Sequence, residues 1–130
     1  MRLRRLAFAF LTVVALAIAA RADEFDTLRQ KWSDMLTGGA AVRLTDAATT
    51  SAITSLTNSA NSSWSSLNKT ATRTSLWTDA ASTTDSSHIS TNFSRLRAMA
   101  LAYATTGSSL QGNTALRDDI LSGLDWMYAN

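Results

Sequence analysis

The glycine-rich stretch at residues 107–114, GSSLQGNT, is the segment whose residue types most suggest a reactive loop. Its glycine spacing and final threonine match a phosphate-binding loop, but Asn113 stands where such a loop needs lysine. The pattern of a nucleophile elbow, G-x-S-x-G, fails as well, because Gln111 occupies the position of the second glycine. The stretch is therefore interpreted as a turn.

The other candidates for acid–base or metal chemistry are one histidine and one pair of adjacent acids. His88 is the only histidine and the chain has no cysteine, which excludes a site with several histidine or cysteine ligands. Asp118 and Asp119 would point about 100° apart on a helix, and acids in a first helical turn are expected from the helix dipole alone. We predict a solvated or capping His88 and structural aspartates. We therefore predict that the chain contains no catalytic, cofactor-binding or metal-binding residue and that it binds no cofactor.

Aromatic side chains could stack on sugar rings if they were exposed. Trp32, Trp64 and Tyr103 each fall on the apolar stripe of a helix, so they are predicted to lie in the core. The pattern does not determine whether Trp77 and Trp126 are buried or exposed.

The first 22 residues predict a secretion signal. Arg2, Arg4 and Arg5 form a positive start, residues 6–20 an apolar run of fifteen, and residues 20–22 an A-x-A cleavage site. The run is short for a membrane span of about twenty residues, although a retained signal anchor is the competing interpretation. We therefore expect a secreted protein that is cleaved after Ala22 and is free of the membrane thereafter.

Removal of the predicted secretion signal would change the sign of the formal net charge. Eight of the twelve Lys and Arg residues remain against all ten Asp and Glu, a formal net charge of −2. A basic nucleic-acid interface is not supported, so no nucleic-acid partner is expected. Arg95, Arg97 and Arg117 are interpreted as solvated or ion-paired side chains of amphipathic helices.

Helices are the elements that must position most of these residues, since the chain has no proline and shows helical periodicity outside a polar, low-complexity loop at residues 78–87. The spacing predicts helices over residues 23–37, 46–67 and 87–106, and a helical hairpin over 94–130. Gly38 and Gly39 are expected to end the first helix, and Gly107 the third. Asn113 is expected to cap the last helix.

Each predicted helix has an apolar stripe that should be buried. The stripes are Phe25, Leu28, Trp32, Met35 and Leu36 in the first helix; Ile53, Leu56, Ala60, Trp64 and Leu67 in the second; Phe93, Leu96, Ala100 and Tyr103 in the third; and Leu116, Ile120, Leu124 and Met127 in the last. Residues 75–77, Ser-Leu-Trp, form a short apolar anchor between them.

Five blocks of sequence stand out in a fixed order and spacing: DEFDTLRQKWSDMLTGG at 23–39, SLW at 75–77, RLRAMALAY at 95–103, GSSLQGN at 107–113 and ILSGLDWMY at 120–128. Together they resemble the amino-terminal end of the polysaccharide lyase family 8 enzymes, which include hyaluronate, chondroitin and xanthan lyases. Two features depart from the family pattern. Gln111 replaces a common tyrosine, and the segment after Gly39 lacks a proline-containing turn.

The resemblance implies a large secreted enzyme whose amino-terminal domain is an incomplete α/α toroid, followed by antiparallel β-sheet domains. Such enzymes cleave uronic-acid-containing polysaccharides by β-elimination. A tyrosine acts as base and acid, while an asparagine and a histidine neutralise the uronate carboxylate and lower the pKa of the adjacent C–H. Those residues lie downstream of the matched blocks, and neither His88 nor Tyr128 matches them.

The sequence thus predicts an all-α fold that supplies the first helical pairs of an incomplete α/α toroid. Residues 1–22 are expected to be the signal peptide and residues 23–130 the amino-terminal part of the lyase domain. The partner would be an acidic polysaccharide bound through the full-length enzyme, and the chain alone would be inactive. The alternative is a small exported helical module that binds partners or sugar without catalysis.

Overall fold

The structure, a computed structural model, describes residues 24–130, and the regular elements in that range are all helical. The four α-helices are α1 (Glu24–Thr37), α2 (Ala47–Ser66), α3 (Ser86–Ala104) and α4 (Thr114–Ala129). Short 3-10 turns lie at Gly39–Ala41 and Thr78–Ala80. The predicted all-α fold class is confirmed for this part of the chain. The predicted signal peptide, residues 1–22, lies outside the described residues.

Side-chain caps begin α2, α3 and α4. In each case a side-chain oxygen accepts a hydrogen bond from a backbone N–H of the first helical turn, which satisfies a donor that the helix itself cannot pair. The pairs are Asp46 with Thr49 at 3.1 Å, Asp85 with Ser87 at 2.8 Å, and Asn113 with Leu116 at 3.1 Å. The predicted cap at Asn113 is confirmed.

Glycines in the left-handed region shape two of the connections. Gly38 and Gly39 have φ of +80° and +48° directly after α1, as expected for residues that end a helix. Gly107, with φ of +89°, lies in the turn between α3 and α4. However, α3 already ends at Ala104, three residues before this glycine, and the N–H of Thr105 still bonds to the carbonyl of Leu101.

The core is built around α3, which packs against α2, α4, the Thr78–Ala80 turn and α1. The predicted apolar anchor at 75–77 is part of this core, since Leu76 and Trp77 are completely or almost completely buried. The remaining buried members of this cluster are Ala60, Leu67, Leu96, Met99, Ala102, Leu110, Leu116 and Ile120.

The serine- and threonine-rich helix α2 buries polar side chains as well as its predicted stripe. Thr57 is buried, and its hydroxyl donates to the carbonyl of Ile53 at 2.7 Å and bonds to the hydroxyl of Ser108 at 3.0 Å. Ser63 is also buried and bonds to the carbonyl of Ser59 at 3.0 Å. These hydroxyls are satisfied inside the fold, so α2 can pack closely despite its weak helix propensity.

The predicted buried stripe of α1 is wrong, because no residue of α1 is buried. Its large apolar side chains are half or more exposed, up to 71% for Met35. The helix packs mainly against α3 and the adjacent 3-10 turn, and these contacts leave its apolar face half or more exposed. Periodicity correctly identified an amphipathic helix, but amphipathicity does not determine which contacts are present.

The predicted stripe of α3 is displaced by about one residue. Phe93 and Ala100 are exposed, whereas Asn92, Met99 and Ala102 are buried beside Leu96. The burial of Asn92 is supported by its amide, which donates to the carbonyl of Ala80 at 3.0 Å. Neighbours on several sides of α3 therefore set its buried face.

In α4, Leu116 and Ile120 are buried as predicted and Met127 packs against the core, but Leu124 is exposed. Gly123 takes the buried place instead. A Cβ atom there would lie 2.8 Å from a terminal methyl of Leu96, so the missing side chain permits the close approach of α3 and α4.

Candidate functional site

The turn at residues 107–114 is accounted for by structural contacts. The hydroxyl of Ser108 is buried and bonds to both Thr57 and the N–H of Leu110. The N–H of Gly112 donates to the carbonyl of Tyr103 at 2.9 Å. Because its polar groups bond within the fold and it joins two helices, the turn is a connector rather than a phosphate loop.

The adjacent acids Asp118 and Asp119 are held apart by different partners. Asp118 pairs with Arg117 at 2.7 Å on the surface. Asp119 accepts a hydrogen bond from the Trp64 indole at 2.6 Å and pairs with Lys69 at 2.9 Å. Two carboxylates with separate partners do not share a proton, so this is not an acid–base pair. The expected first-turn location is also wrong, since α4 begins at Thr114 and has no acid in its first turn.

Asp119 is the centre of a small cluster that ties α2 to α4. Partial burial works to raise the pKa of its carboxyl, but the hydrogen bonds from Trp64 and Lys69 outweigh that effect and lower the pKa overall. The Lys69 ammonium also lies 4.6 Å from the centre of the Trp64 ring. The cluster keeps Asp119 ionised, which suits a structural ion pair and not a proton donor.

His88 acts as an acceptor for the loop that precedes α3. Its Nδ1 accepts the backbone N–H of Ser82 at 3.0 Å, and the imidazole is half-buried. The cap of α3 is Asp85, so His88 is a loop-bridging residue where a solvated or capping one was predicted. Because its Nδ1 accepts this hydrogen bond, His88 stabilises the loop between the Thr78–Ala80 turn and α3.

Arg95 connects α3 to the same turn. Its guanidinium makes two bonds to the carboxylate of Asp79, at 2.7 and 2.6 Å, and lies 5.3 Å from the centre of the Trp77 ring. The bidentate bond to Arg95 lowers the pKa of Asp79 to about 2. Arg97, by contrast, is simply exposed. Of the three arginines predicted to be solvated or ion-paired, Arg95 and Arg117 are therefore ion-paired and Arg97 is exposed.

The lowered pKa of Asp79 gives a testable pH dependence. A folded-state pKa below the ordinary 3.8 adds stability above that value, and the addition disappears as the pH falls through about 2. Asp79→Asn should therefore lower the Tm at neutral pH, and its difference from the parent chain should vanish towards pH 2. Thermal unfolding followed by circular dichroism over this range measures the effect. Asp125→Asn, on exposed α4 surface, is the matched control. A Tm difference that is constant with pH would contradict the assignment.

The tryptophans separate into buried, half-buried and exposed residues. Trp77 is 1% exposed, and its indole donates to the carbonyl of Ser63 at 2.9 Å. Trp64, Trp126 and Tyr103 are half-buried and pack against the core, which confirms the core assignment of Trp64 and Tyr103. Trp32 was predicted to lie in the core, and that prediction is wrong: it is 54% exposed, with the rest of the α1 stripe.

A groove of about 740 Å³ lies between the end of α1, the chain that follows it, and the first half of α2. This volume is in the range of ligand-binding clefts. The apolar side chains that line it are Leu36, Ala41, Val42, Ala52, Ile53 and Leu56.

The polar groups that line the groove differ in whether they already have a hydrogen-bond or ion-pair partner. The carboxylate of Asp46 accepts from both the N–H and the hydroxyl of Thr49. The guanidinium of Arg43 makes no hydrogen bond or ion pair with residues 24–130. The hydroxyl of Thr105, which also lines the groove, is buried without a partner in the same range. The groove therefore offers an apolar surface with one cation, Arg43, and one carboxylate, Asp46, whose contact with the Thr49 hydroxyl belongs to the cap of α2.

Sequence reasoning missed this groove and Arg43. The groove joins residues from three separate segments, and the only local signal is an isolated cation after the apolar residues 40–42.

A second pocket of about 90 Å³ lies between residues 82–83, the start of α3 and the end of α4. Its volume is that of about three water molecules, and no charged residue lines it. Within residues 24–130, no group of three or more His, Cys, Asp or Glu side chains could hold a metal ion. No helix in that range has the length and apolar character needed to cross a membrane.

Comparison with known protein families gives a match over most of the chain. The family model described as "Polysaccharide lyase family 8, N terminal alpha-helical domain" matches residues 32–130. A xanthan lyase from Bacillus sp. strain GL1 is 42% identical over 113 residues, which are 87% of this chain and 12% of the relative. The hyaluronate lyase HylB from Enterococcus faecalis is 32% identical over 104 residues, which are 80% of this chain and 10% of the relative.

A solved structure agrees with these sequence matches. The structure of a Paenibacillus xanthan lyase superposes with a TM-score of 0.79 at 51% identity, covering 85% of this chain and 11% of that one. The helical fold thus corresponds to a small part of a much longer protein, and the chain spans about a tenth of the length of the relatives that it matches.

Proposed function

Because this chain belongs to polysaccharide lyase family 8, we propose that it is the amino-terminal part of a secreted lyase that cleaves acidic polysaccharides. Residues 23–130 would supply the first helical pairs of the incomplete α/α toroid. The observation that carries the proposal is the continuous match over residues 32–130 to the amino-terminal helical domain of the family.

The reaction proposed for the complete enzyme is β-elimination at a uronic-acid residue of a xanthan-, hyaluronan- or chondroitin-type polymer. This is supported by the relatives, which are named as xanthan and hyaluronate lyases. The tyrosine, asparagine and histidine of the reaction would be supplied downstream. In this chain His88, Asp118 and Asp119 are each bonded to structural partners, which supports a scaffold role for these helices.

Export with cleavage after Ala22 is the second element of the proposal. It is supported by the arginine-rich start, the short apolar run and the A-x-A site in residues 1–22. Expression with this leader should yield a secreted chain that begins at Asp23, as measured by intact mass and amino-terminal sequencing of the medium. An uncleaved chain in the membrane fraction would show a retained anchor instead.

The proposal is tested most simply by reading the encoding gene past the codon for Asn130. We expect an open reading frame that continues through the rest of a family 8 lyase, including asparagine, histidine and tyrosine positions that align with those of the relatives. A stop codon directly after Asn130 would contradict the proposal and favour a small exported helical module.

A further inference from the structure

The hydrogen bond between Ser82 and His88 joins the entry loop, defined as residues 81–85, to α3. The Nδ1 atom of His88 accepts the backbone N–H of Ser82 at 3.0 Å. The N–H groups of Thr84 and Asp85, in contrast, bond locally to the hydroxyl of Ser82, at 3.3 and 3.0 Å. The entry loop is therefore folded around Ser82, and the imidazole attaches this residue to α3.

The two ends of the entry loop are held by bonds that do not involve the imidazole of His88. The amide of Asn92 donates to the carbonyl of Ala80 at 3.0 Å, and the carboxylate of Asp85 accepts the N–H of Ser87 at 2.8 Å. An amide does not titrate, and the hydrogen bonds from Ser87 lower the pKa of Asp85. Loss of the bond to His88 would therefore free the middle of the loop and leave its ends in place.

Protonation of an imidazole removes the kind of hydrogen bond that His88 makes. A ring nitrogen accepts a hydrogen bond only while it carries no proton, and in the protonated ring both nitrogens are donors. Histidine is the side chain whose ordinary charge change falls between about pH 5 and 8. We propose that His88 is a pH-sensitive switch, which holds the entry loop on α3 when the imidazole is neutral and releases it when the imidazole is protonated. The switch does not depend on the proposed lyase function.

The charged groups near His88 keep their charge over the range in which an imidazole titrates. The carboxylates of Asp79 and Asp85 both interact electrostatically with His88. The bidentate bond to Arg95 lowers the pKa of Asp79 to about 2, and the hydrogen bonds from Ser87 lower that of Asp85. His88 is also the only histidine of a chain without cysteine. A change in the entry loop between about pH 5 and 8 is therefore assigned to His88.

Release of the entry loop would open the smaller of the two pockets described above. Ser82 and Thr83 line this pocket of about 90 Å³ together with Trp126 and Met127 of α4. Because the two loop residues form part of the pocket wall, their displacement would expose the apolar side chains of α4 to solvent. Protonation of His88 would thus enlarge the exposed apolar surface at this end of the fold, while the helices themselves stay in place.

The test is an NMR titration of the purified chain with amide hydrogen exchange, between about pH 7.5 and about pH 5. The protection factor of the Ser82 N–H should fall about fivefold over this range, because its acceptor is lost. The amide signal of Ser82 and the ring signals of His88 should titrate with the same midpoint. The N–H of Leu96, a residue buried on α3, is the internal reference and should keep its protection.

Two substitutions at residue 88 separate the acceptor from its titration. His88→Asn places an amide oxygen near the position of Nδ1, which accepts a hydrogen bond but does not titrate, so Ser82 should stay protected at both pH values. His88→Leu removes the acceptor, so protection of Ser82 should be low at both.

Four results would overturn the switch. These are constant protection of Ser82 in the parent chain, different midpoints for Ser82 and His88, a pH dependence that persists in His88→Asn, and protection in His88→Leu equal to that of the parent. Equal loss of protection at Leu96 and Ser82 would likewise contradict it, because that result shows global unfolding and not release of one loop.

Discussion

Trp77→Ala is expected to lower the free energy of unfolding by about 3–5 kcal/mol, the usual cost of removing a large buried aromatic side chain. Trp77 is 1% exposed and lies in the same cluster as Leu76, Leu96 and Leu116. The substitution also removes the indole that donates to the carbonyl of Ser63 and the ring beneath Arg95. Since domains of this size are stable by only about 5–15 kcal/mol, a large share of the fold's stability would be lost.

Trp32→Ala provides the matched control for this prediction. The residue type and the substitution are the same, but Trp32 is 54% exposed on α1, so its loss should change the free energy of unfolding by less than about 1 kcal/mol. Urea unfolding followed by far-ultraviolet circular dichroism compares the two variants without relying on tryptophan fluorescence. Equal destabilisation by both substitutions would contradict the location of the core.

The isolated chain is expected to show no lyase activity on xanthan, hyaluronan or chondroitin. β-Elimination needs a base positioned at the uronate C–H and groups that neutralise the carboxylate. Within residues 24–130, Nδ1 of the only histidine is bonded to Ser82, and the acids on α4 have separate partners. Tyr103 packs against the core and Tyr128 is exposed at the end of α4. No base and carboxylate-binding group therefore converge on one point in this part of the chain.

The measurement is the ultraviolet absorbance of unsaturated uronate after incubation of the purified chain with each polymer. The rate should equal that of a blank without protein, and a complete family 8 lyase serves as the positive control. Accumulation of unsaturated uronate with the isolated chain would show that it carries a catalytic site of its own.

The number, order and approximate bounds of the helices could be predicted from the sequence, because their signals are local. Asn113 caps α4 through its side-chain oxygen, and Gly38 and Gly39 end α1 with a positive φ that residues with a Cβ rarely adopt. The burial of each helix face could not be predicted as reliably. Asn92 is buried because the carbonyl of Ala80, twelve residues earlier, accepts its amide hydrogen bond. Gly123 is buried because Leu96 of α3 approaches it.

The burial prediction failed most completely for α1, and the reason is physical. A 3.6-residue period shows that a helix has an apolar face, but burial of that face needs a second element. The contacts of α1 among the described residues leave that face half or more exposed. The groove was equally inaccessible to sequence reasoning, since Leu36, Val42 and Ile53 come together only in the folded chain. The family, in contrast, could be identified from the sequence because five blocks retain their order and spacing.

The central claim is that these helices are an interchangeable part of a lyase whose catalytic residues lie elsewhere in the chain. The direct measurement is the initial rate of xanthan cleavage by a chimera, in which the 113 matched residues of this chain replace the corresponding segment of the Bacillus xanthan lyase. We predict a folded chimera that cleaves xanthan within about tenfold of the parent lyase rate, because the exchanged segment brings scaffold and no catalytic group. A folded chimera whose rate has fallen to that of the blank would contradict this claim.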